Sequence, residues 1–139
     1  MKIKTLKLKK IKSKNGLLVV AEFKFPIKRV FTVLANKNSK RGYHAHKKCR
    51  QLLFCPHGSI KIELFDGYKY KTITLNKSKN AILIPTYIWA SQKFLSNNSV
   101  LIVLCDKIFS EKEYIRDISK FKKIIDKNKY VQKKNNIKK

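Results

Sequence analysis

The sequence predicts an all-β chain that folds as one small barrel or sandwich, with a short helix near its C-terminus. Three observations carry this expectation. Apolar and polar residues alternate along most of the chain, as on strands with one buried face. About nine such runs are separated by turn signals at close spacing, the pattern of closed β architectures. Only Ser110 to Ile125 reads as a helix, with Ser110 as its N-cap and Glu113 as the capping-box partner.

The elements follow in order. Lys2 to Ile11 (KIKTLKLKKI) sets Ile3, Leu6, Leu8 and Ile11 among lysines, close to a period of two. Residues 1–15 are therefore expected as an edge strand or one exchanged between subunits. Lys14-Asn15-Gly16 is a turn, and Leu17 to Phe23 is the next strand, broken by Phe25-Pro26. Arg29 to Ala35 is a β-rich run, and Asn36 to Arg41 is a polar loop. Tyr43 to Cys55 reads as one long strand and Ser59 to Phe65 as a cleanly alternating one. Asp66-Gly67 is the strongest hairpin signal, returning the chain through Tyr68 to Leu75. Ala81 to Ile84, Trp89 to Phe94 and Val100 to Cys105 complete the set.

At 139 residues the chain is one domain, expected over 1–125, with 126–139 as a basic tail that frays. Its 34 Lys and Arg against 8 Asp and Glu give a net charge of +26, so a polyanionic partner has to be weighed. The lysines are spread along the whole chain, and the aromatics occupy alternating strand positions rather than a stacking platform. No specific nucleic-acid partner is expected. The longest apolar run, Val100 to Cys105, is far short of the ~20 residues that span a bilayer. The basic, alternating N-terminus does not resemble a signal peptide, so a cytoplasmic location with no membrane contact is expected. Cys49, Cys55 and Cys105 have no disulfide or zinc spacing and read as buried small apolar residues.

The segment Arg41-Gly42-Tyr43-His44-Ala45-His46 carries the chemistry. Residues two apart on a strand share a face, so His44 and His46 project together, and in a barrel that face can be the interior. Paired imidazoles suit either a metal or proton transfer. The run His44-Ala45-His46, then Gln51, then Gly58, resembles the first metal motif of cupin barrels, except that an amide replaces the acid. In the second motif, Ile84 to Ala90, alanine stands at Ala90 where a histidine is expected. An amide is a poor ligand for a divalent cation and a methyl group is none, so no metal is expected. A free imidazole can then serve as a base near neutral pH.

The stretches RGYHAHKKCRQLLFCPHGSIKIELFDG, ILIPTYIWASQKF and VLIVLCDKIFSEKEYIRDISKF resemble the sugar 3,4-ketoisomerases, which act on dTDP-4-keto-6-deoxyglucose in the biosynthesis of unusual deoxy sugars for surface glycans such as lipopolysaccharide. The upstream GLLVVAEFKFPIKRVF does so as well. The resemblance implies a single cupin-type double-stranded β-helix (a jelly-roll barrel), a homodimer with N-terminal strand exchange, and a reaction without metal or cofactor. It implies that His44 and His46 are catalytic, and that Arg41 lies near the ligand phosphates.

On this reading the substrate is a dTDP-linked keto-sugar. His46 is the principal base, and His44 is its partner or polarises a sugar oxygen. Arg41 and Arg29 are expected at the diphosphate, since a guanidinium grips phosphate in a bidentate way. Gln51, Tyr87 and Lys47 are further substrate-binding candidates. Tyr43 faces away if the strand is regular, and the block Tyr114, Arg116, Asp117 reads as structural. Two other functions compete: a cupin epimerase on a related nucleotide sugar, and a non-catalytic sugar- or nucleotide-binding barrel.

Overall fold

Alternation along the chain becomes two facing antiparallel sheets in a computed structural model that describes residues 1–137. In chain order the strands are β1 (Lys4–Leu6), β2 (Lys9–Ser13), β3 (Gly16–Val20), β4 (Arg29–Ala35), β5 (Lys40–His46) and β6 (Gln51–His57). They continue with β7 (Ser59–Phe65), β8 (Tyr70–Asn76), β9 (Ala81–Ile84), β10 (Trp89–Phe94), β11 (Ser99–Cys105) and β12 (Tyr114–Ile115). A 3-10 turn at Glu111–Glu113 precedes β12, and the helix α1 (Ile118–Ile137) follows it. One sheet runs β1-β9-β6-β11-β4, the other β12-β5-β10-β7-β8, and β2-β3 is a separate hairpin. This is the single jelly-roll barrel that the family resemblance implies, one of the two architectures the patterning allows.

The core between the sheets is apolar and tightly closed. Leu53 and Cys55 from β6 meet Ile60, Ile62 and Leu64 from β7, Phe94 from β10, and Leu101 and Val103 from β11. Each such side chain, fully withdrawn from water, stabilises the fold by roughly 1.5–3 kcal/mol. The outward residues Leu52 and Phe54 of β6 are also buried, because Leu8, Val19, Phe23 and Phe25 of the N-terminal region cover them. Within the single chain, β1 pairs with β9, and Lys9–Ser13 begins the β2-β3 hairpin. The three cysteines are buried free thiols.

Two elements differ from expectation. The run Tyr43 to Cys55 is not one strand. It turns a corner at 47–50, so β5 lies in one sheet and β6 in the other. The corner is pinned where the Arg50 amide and Nε donate to Asp106, at 2.8 and 2.6 Å. The helix also starts later than expected. Ser110 makes no side-chain cap, and Glu113 turns inward instead of back to it. Asp117 caps α1, accepting from the Lys120 amide at 2.6 Å. The helix runs on to Ile137 with no Gly or Pro to interrupt it, and residues 138–139 of the basic tail lie outside the described residues. Phe121 seals it against Ala45, Phe65, Trp89 and Ile115 on the outer face of the second sheet.

Candidate active site

The site begins with a break in β5. Gly42 and Tyr43 both take positive φ, 86° and 60°, opposite a register shift between Ala90 and Ser91 of β10. A Cβ on Gly42 would lie 2.8 Å from the Ala90 carbonyl oxygen, so only glycine fits there. The break leaves Tyr43 half exposed and aims the next residues inward. His44 and His46 then stand edge to face with ring centroids 5.0 Å apart, on the shared face their spacing predicts.

β12 completes the site. It pairs with β5 so that Tyr114 lies opposite His46 and Ile115 opposite Ala45. Residues opposite each other on paired strands share a face, so Tyr114 joins the histidines while Ile115 enters the outer core. The Tyr114 ring is 4.3 Å from the His46 ring and 5.0 Å from that of His44. Its hydroxyl accepts from Arg29 Nη2 at 3.3 Å. Just before it, the buried Glu113 carboxylate receives His46 Nδ1 and the backbone amides of Lys48 and Cys49, at 3.1 and 3.3 Å.

This arrangement fixes the charge states. Burial opposes ionisation of Glu113, but hydrogen bonds from His46 and Lys48 outweigh it and hold the carboxyl below its ordinary range. Burial lowers His46 as well, and the facing carboxylate offsets only part of that. His44 is pushed down to about 4 by burial and by the neighbouring His46. Both imidazoles are therefore neutral at physiological pH. With Nδ1 committed to Glu113, His46 offers Nε2, which is buried and has no partner among the described residues; His44 Nδ1 and Arg29 Nε are in the same state. Unmatched buried polar atoms are rare, and three gathered here mark where a polar ligand would bind.

His44 lines a cavity of about 370 Å³, while His46 and Arg29 stand behind its wall, against Tyr114. Arg41, His44 and Gln51 line it, together with Gln92, Tyr114 and Arg116. Arg116 stacks 4.4 Å above the Tyr114 ring and grips Glu111 through two nitrogens, at 2.5 and 2.9 Å. A cavity of this size with cationic groups at its border suits a phosphorylated small molecule.

Known proteins share this arrangement of elements. The family model described as "FdtA: WxcM-like, C-terminal" matches residues 1–126. A TDP-4-oxo-6-deoxy-alpha-D-glucose-3,4-oxoisomerase of Aneurinibacillus thermoaerophilus is 36% identical over 132 residues, covering 91% of this chain and 95% of that protein. The chain belongs to the sugar 3,4-ketoisomerase family. Among solved structures, QdtA, a sugar 3,4-ketoisomerase from Thermoanaerobacterium thermosaccharolyticum in complex with TDP, matches with a TM-score of 0.84 at 33% identity, over 91% of this chain and 96% of that one. The WlaRB TDP-quinovose 3,4-ketoisomerase from Campylobacter jejuni matches at 0.78 and 33%, over 87% and 97%. A 3'-monoepimerase from Streptomyces bikiniensis, at 11% identity and a TM-score of 0.73, shares the fold alone.

Within this ketoisomerase, four candidates are not among the residues that line the cavity: His46, Arg29, Lys47 and Tyr87. Lys47 follows the end of β5, where alternation turns it outward, and its Nζ donates to the Lys112 carbonyl at 2.8 Å. Tyr87 packs with the Ala45, Phe65 and Trp89 cluster under α1, and its amide donates to the His46 carbonyl at 2.7 Å. Arg29 reaches the site through Tyr114, its Nη2 shared between that hydroxyl and Cys105 Sγ. Ala90 faces the apolar core directly opposite His44.

Sequence reasoning missed Glu113, Tyr114, Arg116 and Gln92. Glu113 had a competing explanation as a cap. Its useful signal was scarcity, as one of 8 acidic residues in the chain standing beside the YIRD block. A cation could approach His46 Nδ1, Cys49 Sγ and a Glu113 oxygen, which lie within 4.8 Å of one another. The carboxylate already takes His46 and two amides, and the Cys49 thiol keeps its proton, which it donates to the Arg50 carbonyl at 3.4 Å. The donor set fits proton transfer better than a metal.

Proposed function

We propose that the protein converts a dTDP-4-keto-6-deoxy-hexose to the dTDP-3-keto isomer by metal-independent, cofactor-free proton transfer. One observation carries this reading: a buried His46–Glu113 dyad with His46 Nε2 unpartnered, its ring 5.0 Å from that of His44, which lines a cavity together with Arg41 and Arg116. Family membership narrows the substrate class. A solved histidine-to-asparagine mutant of the QdtA enzyme holds TDP-4-keto-6-deoxyglucose.

The chemistry follows from a ketone at C4, which acidifies the proton on C3. Neutral His46 removes that proton through Nε2, and Glu113 stabilises the resulting imidazolium through Nδ1. Electrons shift into an enediolate, whose charge needs donors placed in advance. His44 stands at the cavity wall for this, and Gln51 offers an amide. Arg41 holds the diphosphate, with Arg116 beside it. His46 then returns its proton to C4, leaving the ketone at C3. Gln51 and Ala90 leave no second half of a cupin metal site.

We also infer a homodimer. Among the described residues β4 is an edge strand paired with β11 alone, and its Val30 and Leu34 are exposed, as are Ile11, Leu17 and Leu18 of the β2-β3 hairpin. Phe31, Thr32 and Val33 of that edge line the cavity, so a partner hairpin paired there would close its wall. Three free thiols fit a reducing, cytoplasmic setting. No helix among the described residues is long and apolar enough to cross a membrane.

The deciding experiment is incubation with dTDP-4-keto-6-deoxyglucose in deuterated water, followed by NMR. A ketone at C3 with deuterium at C4 is the expected outcome. A ketone that stays at C4 with inversion at a neighbouring carbon would assign an epimerase. Folded protein that binds dTDP but exchanges nothing would leave a binding module.

A further inference from the structure

Moving a ketone from C4 to C3 relocates two protons, one between carbons and one between oxygens. The His46–Glu113 dyad accounts for the first. The second must leave the C3 hydroxyl and reach the former C4 carbonyl oxygen. Among the groups that line the cavity, arginines stay protonated, amides do not titrate, and an aliphatic hydroxyl such as Thr32 is too weak an acid. A phenol can both give and take a proton, and the cavity wall holds one, Tyr114.

Its surroundings suit that work. Register places it on the histidine face, opposite His46. Its oxygen accepts from Arg29 Nη2 at 3.3 Å, so the guanidinium can support a transient phenolate. Its own hydrogen has no acceptor among the described residues and is free to point into the cavity. Burial of His44, which keeps that imidazole neutral down to about 4, leaves it a reluctant acceptor for the same proton.

We propose that Tyr114 is the catalytic carrier of the oxygen-bound proton, an assignment that rests on the ketoisomerase reading. As His46 takes the C3 proton, the C3–H electron pair forms the C3–C4 double bond and the carbonyl π pair moves to O4. O4 takes the phenolic proton, giving an enediol and a tyrosinate held by Arg29. The tyrosinate then removes the proton from O3. The O3 pair forms the new carbonyl, and the double-bond pair takes the proton that His46 returns at C4. Tyrosine and histidine end as they began, and no oxidant or reductant is consumed.

The test is Tyr114→Phe, which keeps the ring and removes the hydroxyl. Conversion to the 3-keto product should fall about 100-fold or more, within the usual range for an acid–base group. Exchange of the C3 proton with deuterated water should fall much less, because the dyad is intact and an enediolate can return to the starting ketone. Unchanged dTDP affinity and melting temperature would show that the fold is preserved. Conversion at the wild-type rate would overturn the assignment, and so would equal losses of exchange and conversion. Wild-type protein that neither exchanges nor converts would overturn the ketoisomerase reading and this assignment with it.

Discussion

At the residue scale, the His46–Glu113 contact decides what His46 can do. An imidazole with Nδ1 held by a carboxylate has one defined tautomer, with Nε2 presented as the base. Glu113→Gln keeps the shape but loses the charge that stabilises the imidazolium. It should lower kcat by ~10²–10⁴-fold with little change in dTDP affinity, as measured by steady-state kinetics and calorimetry. The lowered imidazoles also set the pH dependence. A base that stays neutral down to low pH places the acid limb of the kcat/KM profile below 6.5, not at it. Stability follows the same sign. Unfolded, His44 binds a proton near 6.5, and folded only near 4. Between those values the unfolded chain holds the extra proton, so stability falls as pH falls across that window. Thermal melts from pH 7 to 4.5 should show the decline, and His44→Asn should flatten it. The histidine pair was legible because period-two spacing is a local signal. Glu113 was not, because its partner is 67 positions away and a local capping explanation competed.

At the element scale, the β5 break and the β12 pairing build the site. Gly42→Ala places a methyl group against the Ala90 carbonyl at a φ of +86° and should cost about 1–3 kcal/mol, measured by denaturant unfolding. Activity should fall further than stability alone explains, since the same backbone aims His44. Most strands were legible from alternation, and Asp66-Gly67 formed its turn as expected, with Asp66 Oδ1 accepting from the Tyr68 and Lys69 amides. The corner at 47–50 was hidden because β6 is buried on both faces and so lacks alternation. β12 was hidden by its two-residue length, which carries no period. The register of α1 depended on Asp117, whose capping bond competed with an equally plausible serine upstream.

At the scale of the whole molecule, a net charge of +26 and an open sheet edge have opposite consequences for assembly. Like charges spread over the surface keep copies apart, whereas the exposed β4 edge and hairpin favour pairing. Screening by salt weakens the repulsion and leaves apolar burial intact, so dimerisation should strengthen as ionic strength rises. Binding of the anionic nucleotide should weaken over the same range. Leu34→Glu tests the surface directly. Leu34 is 73% exposed in the single chain, so the substitution costs the monomer almost nothing. If β4 is the interface, a carboxylate buried there shifts the molecule to monomer in light scattering and lowers activity, because Phe31, Thr32 and Val33 of the same strand wall the cavity. Retention of a dimer with full activity would place the interface elsewhere.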